Sequence, residues 1–175
     1  PIFFTAPIKG PVFIEMRDPL YDRNRQINPF TTRTVNLRMK KTASAPNVHA
    51  GKETRLAFSS DGCRLQGTLH LPNRLSPNLI VGSHGLYSSG NSPKQVELAH
   101  RCCQMGIAYF RFDHRGCGRS QGRFEAVTTL PGRRRDLANA VSFLRKTFSF
   151  GPQLGLFGSS FGGTTCLAAA GIFIY

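Results

Sequence analysis

No stretch of this sequence is apolar for long enough to cross a membrane. The longest run, residues 166–175, has 10 residues, against the ~20 that a spanning helix needs. The sequence also lacks any C-x-x-C pair and any spaced set of zinc ligands, so no metal site is expected. Its five cysteines, an odd number, fit free thiols in a reducing, cytoplasmic compartment better than a disulfide framework. There is no Walker A loop and no dinucleotide fingerprint, so no cofactor is expected. Acidic residues are scarce: 9 stand against 23 lysines and arginines, for a net charge of +14. That balance raises nucleic-acid binding as an alternative. The basic residues are scattered, however, with no aromatic interleaving, zinc finger or glycine-rich RNA motif. Their single run, Arg133-Arg134-Arg135, reads as a solvated helix face beside Asp136.

What is present suits one domain with a tail: 175 residues, 40% of them hydrophobic. Residues 1–50 hold one glycine, several prolines and no clear period, and read as an extension of unknown structure. Met39 offers a translation start that would leave residues 1–38 outside the functional protein. From residue 51 the pattern is regular. Residues 53–58 and 63–71 are strand-like and flank an Asp61-Gly62 turn, a strong hairpin signal. Residues 78–82, 107–112 and 153–157 read as short buried strands. A helix is expected over 93–105, with Val96, Leu98, Ala99, Cys102, Cys103 and Met105 on its apolar side. A second, over 133–148, carries the stripe Leu137, Val141, Leu144 and Phe148. A third follows Gly162. Strands alternating with helices predict an α/β fold, a mostly parallel sheet with helices on both faces.

Three motifs sit at the carboxyl ends of these strands. The first is Gly158-Ser159-Ser160-Phe161-Gly162, a G-x-S-x-G turn between a strand and a helix. Such a nucleophile elbow holds Ser160 in a strained conformation with its hydroxyl clear of the sheet, and Gly158 and Gly162 leave room for the close turn. The second is Ser83-His84-Gly85-Leu86, after the strand 78–82. Acyl chemistry on a serine builds charge on a carbonyl oxygen, which needs backbone N–H donors already aimed at it. The expected donors are Phe161 and Leu86. Gly85 permits close approach, and His84 reads as a turn residue. The third is Asp113-His114-Arg115-Gly116-Cys117-Gly118-Arg119-Ser120.

In this order and at this spacing, the three motifs resemble the alpha/beta-hydrolase family, closest to its serine aminopeptidase-like and dienelactone hydrolase-like branch. The resemblance covers residues 52–171. It implies a strand order 1-2-4-3-5 for the five strands from 53 onward. It also makes the third motif a shaping turn, with Asp113 structural. Family members use a triad in the order serine, acid, histidine. Here no Asp, Glu or His follows Ser160, and all five histidines precede it. The sequence therefore reads as the N-terminal portion of a hydrolase domain, truncated after the nucleophile helix, with any lid and the rest of the triad outside it. Two expectations follow. The strand 153–157 should have one unpaired edge, leaving the chain poorly soluble or partly unfolded. The chain alone should show little esterase turnover. The parent is expected to be a serine hydrolase forming an acyl-enzyme on Ser160 with esters, amides, thioesters or peptides. The alternatives are an acyltransferase on the same fold and a non-catalytic, hydrolase-like protein.

Overall fold

The computed structural model describes residues 51–173, together with the backbone of residues 2–7 and 13–16. Met39 lies outside the described residues. Seven strands form one sheet: β1 (Ile2–Pro7), β2 (Phe13–Met16), β3 (Lys52–Ser60), β4 (Cys63–Leu71), β5 (Leu79–Ser83), β6 (Ala108–Phe112) and β7 (Gln153–Gly158), in the order β2-β1-β7-β5-β6-β4-β3. Taken alone, the five strands from β3 onward run 1-2-4-3-5, the order the resemblance implies. β5 is central and parallel to both β6 and β7. β3 and β4 form the expected hairpin, and β4 runs antiparallel to β6. Asp61 and Gly62 both have positive φ, 47° and 79°, the two-residue turn whose twist matches that of the flanking strands.

Four helices complete the described fold: α1 (Pro93–Gln104), the single turn α2 (Phe124–Val127), α3 (Leu130–Thr147) and α4 (Phe161–Ala170). Alternation along the strands sends successive side chains to opposite faces. On β6, Phe110 and Phe112 join Leu137, Ala140 and Leu144 of α3 and Cys166 and Ala169 of α4 in the main core. Tyr109 points the other way and packs with Ala99 and Cys102 of α1. The sheet is thus covered on both faces. Burying a leucine such as Leu144 stabilises by ~1.5–3 kcal/mol, and Leu144→Ala would cost ~2–5 kcal/mol with its cavity.

Three details differ from the sequence-based expectations. α3 begins at Leu130, because Thr129 caps it by accepting a hydrogen bond from Gly132 N–H and Pro131 occupies its first turn. α1 buries Gln95, whose Oε1 accepts a 2.6 Å hydrogen bond from the Tyr109 hydroxyl, while Met105 at its end is 54% exposed. β7 does not have an open edge. β1 pairs with it antiparallel over its whole length, from Ile2 against Gly158 to Pro7 against Gln153, so its main-chain groups have partners on both sides. All five cysteines are free; Cys102, Cys117 and Cys166 are buried, and Cys63 and Cys103 are half-buried.

Candidate active site

Ser160 sits at the junction of β7 and α4 with φ 53° and ψ −132°. That is the left-handed half of backbone space, which a non-glycine residue occupies at a cost of ~1–3 kcal/mol. The turn is closed by Gly163 N–H donating to Ser160 O at 2.7 Å and Gly162 N–H to Ser159 O at 3.0 Å. Both flanking glycines are required sterically. A β-carbon at Gly158 would meet Gly162 O at 2.3 Å, and one at Gly162 would meet Ser83 O at 2.1 Å. The side chain of Ser160 is exposed at the head of α4 and makes no capping hydrogen bond.

The loop after β5 runs directly beside it. A β-carbon at Gly85 would stand 3.6 Å from Ser159 O and 3.8 Å from Ser160 Cβ. The structure therefore brings together Ser160, Phe161, Gly85 and Leu86, the residues the sequence singled out. His84 is buried behind them with both ring nitrogens engaged by backbone. Nδ1 lies 2.7 Å from Gly85 O, and Nε2 accepts from His114 N–H at 3.2 Å. These contacts require the neutral ring. Burial, with Arg133 nearby, pushes its pKa down to about 4.

Asp113 is a turn-builder. Its Oδ1 accepts from Gly90 N–H at 2.7 Å and its Oδ2 from Arg119 N–H at 3.0 Å. Gly116 and Gly118 turn the chain with φ 73° and 52°, and a β-carbon at Gly118 would strike the Asp113 carboxylate at 2.4 Å.

The sequence reading missed the buried chain beneath this loop. Ser83 Oγ lies 2.9 Å from His114 Nε2, and His114 Nδ1 lies 3.5 Å from Asp136 Oδ2. Asp136 also takes two side-chain hydrogen bonds from Arg115, at 2.7 and 2.9 Å, and one from Arg115 N–H at 3.0 Å. Serine, histidine and aspartate here are all sealed from solvent, so this trio cannot meet a substrate. Burial drives the His114 pKa down to about 3. For Asp136, burial alone would raise the pKa, but His114 and Arg115 outweigh it and hold the carboxyl at about 2.

Arg133 corrects the reading of the arginine run. Arg134 and Arg135 are exposed, but Arg133 is the bulkiest fully buried side chain among the described residues. The signal was available. Stepping back four residues from Leu137 along the apolar stripe of α3 lands on Arg133.

None of the four described histidines bonds to Ser160. His70 Nε2 accepts from Arg111 Nε at 2.8 Å, and His100 pairs with Glu53 at 3.0 Å. Glu53, His70 and His100 do bring three potential ligand atoms within 4.8 Å of one another. The Arg111 hydrogen bond, however, leaves the His70 proton on Nδ1, facing Glu53. The Arg111 guanidinium also lies 3.9 Å from Glu53, so a cation already occupies this corner and the donor set does not suit a metal.

Comparison with known proteins identifies the family and the fold. The family model described as serine aminopeptidase, S33, matches residues 76–172. The chain is 32% identical over 119 residues to the uncharacterized protein YfhR of Escherichia coli O157:H7, covering 65% of this chain and 39% of that protein. It is 37% identical over 95 residues to the bovine mitochondrial palmitoyl-protein thioesterase ABHD10, covering 54% of this chain and 29% of that one. Among solved structures, Est1E from Butyrivibrio proteoclasticus with bound ferulic acid superposes with a TM-score of 0.63 at 26% identity, over 67% of this chain and 47% of that one. The chain thus spans well under half the length of these curated relatives.

Proposed function

The chain belongs to the serine aminopeptidase, S33, family of alpha/beta hydrolases, and from that premise we propose that it carries the nucleophile and oxyanion-binding half of a serine hydrolase acting on carboxylic esters and thioesters. In this reading Ser160 Oγ attacks the carbonyl carbon and gives its proton to a base. The carbonyl oxygen takes the developing negative charge, and the leaving alcohol or thiol departs as an acyl-enzyme forms. Water then hydrolyses that intermediate. The N–H groups of Leu86 and Phe161 would hold the oxyanion; removing one such donor in other enzymes costs ~10²–10³ in rate. His70, His84, His100 and His114 are each engaged elsewhere, so the base is a different group.

The observation that carries the reading is the backbone of Ser160. A positive φ at an exposed serine, wedged between two glycines that tolerate no β-carbon, is strain held at one hydroxyl. The substrate class draws on the thioesterase named for the bovine relative and on the ferulic acid, a carboxylic acid, bound in Est1E. The test is covalent labelling. In a version of the protein that also supplies the base, a fluorophosphonate should modify Ser160, and Ser160→Ala should abolish the label. Labelling that survives this substitution would move the nucleophile elsewhere, with Ser159 the next candidate.

A further inference from the structure

Arg133 is completely buried, and the Asp136 carboxylate, which favours its charge from a distance, bonds to Arg115 instead. Its guanidinium is spent on backbone. Nη2 donates to His84 O and Nη1 to Gly85 O at 3.4 Å, while Cζ lies over the Phe161 ring, 5.0 Å from its centroid. Burial draws its pKa down to about 10, so it stays charged at neutral pH. A charge buried without a directly paired carboxylate is expensive, even with Asp136 near enough to favour it, and apolar side chains of similar volume usually serve stability as well or better. Packing alone therefore does not call for a guanidinium here.

The peptide geometry shows what the guanidinium does. Gly85 C=O and Leu86 N–H belong to one planar trans peptide unit and point in opposite directions. Holding the oxygen of that unit on the Arg133 side turns the Leu86 N–H away from Arg133. A cation at the carbonyl end also polarises the unit and strengthens its N–H as a donor. The same guanidinium lies over the ring of Phe161, whose N–H is the second proposed donor. We infer that Arg133 is a positioning residue for the oxyanion hole: by gripping His84 O and Gly85 O and lying over Phe161, it fixes, together with the His84 Nδ1 that lies 2.7 Å from the same Gly85 O, the direction of the Leu86 N–H and ties the two donors to one rigid group. The inference deepens the serine hydrolase reading and rests on it for its catalytic meaning.

The test compares Arg133→Met and Arg133→Lys with Arg134→Met, an exposed neighbour. Each is labelled with a fluorophosphonate, whose P=O oxygen uses the oxyanion hole, and with its P=S analogue, which uses it poorly. Arg133→Met should slow the P=O reagent ~10–100-fold, less than the ~10²–10³ for losing an oxyanion donor outright because the donor is misdirected and not removed, and leave the P=S reagent nearly unchanged. Lysine can reach one carbonyl but lacks the planar fork, so Arg133→Lys should fall between; it also carries the test if the methionine variant does not fold. Arg134→Met should match the parent. Equal slowing of both reagents, or no slowing in a folded variant, overturns the inference. If the parent does not label at Ser160, the hydrolase reading fails separately, and ¹⁵N relaxation on the 175-residue chain decides the Arg133 claim. The Leu86 amide should lose order in Arg133→Met while α3 stays rigid; an unchanged Leu86 amide would sink it.

Discussion

At the scale of single residues, the turn around Ser160 is fixed by what its neighbours lack. A β-carbon at Gly162 would press on Ser83 O, a main-chain atom of the central strand that cannot swing aside. Gly162→Ala should therefore destabilise the chain by ~2–4 kcal/mol and reduce fluorophosphonate labelling beyond what unfolding explains. A variant with parental melting temperature and labelling rate would contradict this. The elbow was legible in the sequence because its constraint is local: the serine and both glycines lie within five consecutive positions. Arg133 was not legible as a buried group. Runs of arginine normally face water, and the carbonyls that receive it lie nearly fifty residues away in the chain. His114 was hidden likewise, since Ser83 and Asp136 reach it from two different elements.

At the scale of elements, α3 is fastened to the β3–β4 turn through Asp136, with Arg135 bonded to Asp61 and Asn139 to Ser60 beside it. Asp136 receives Arg115 and the Ser60 hydroxyl, and Arg115 continues to Asp61 in the turn at 3.0 Å. Asp136→Asn keeps the shape but removes the charge facing a buried guanidinium. Breaking such a pair typically costs ~3–5 kcal/mol, so this substitution should lower the urea midpoint at least as much as Leu144→Ala does. A smaller effect would mean that Arg115 finds water instead. Strands and helices were readable because their periods of 2 and 3.6 are written in apolar positions. The apolar side of α1 misled for a physical reason: Gln95 is buried because Tyr109 offers it a hydrogen bond, a partner supplied by β6.

At the scale of the whole molecule, part of the positive charge is internal, since Arg111, Arg115 and Arg133 are all buried. Three buried histidines set the response to acid. Burial holds His70 and His84 at about 4 and His114 at about 3, against 6.5 in an unfolded chain. Between those values the unfolded state binds more protons than the folded one, so stability rises with pH across that window and is lost as pH falls through it. At ~1.4 kcal/mol per pKa unit, His84 alone contributes on the order of 3 kcal/mol. The melting temperature should begin to drop near pH 6.5. A chain whose melting temperature holds down to pH 4 would refute this, because the stability that Asp136 contributes is lost only below its ordinary value of 3.8. The order of the five strands from β3 could be foreseen. The pairing of β1 with β7 could not, because residues 2–7 carry no period that names a partner. The burial of the cysteines has a consequence of its own. Cys166 is sealed on the buried face of α4 and its pKa is pushed up to about 12 by burial, so it has neither access nor thiolate to offer an alkylating reagent. The half-buried Cys63 and Cys103 should react early, and Cys166 only when α4 lifts from the sheet. The chain thus carries an intrinsic clock, in which the delay between the first thiols and the last measures how often the layer bearing Ser160 opens.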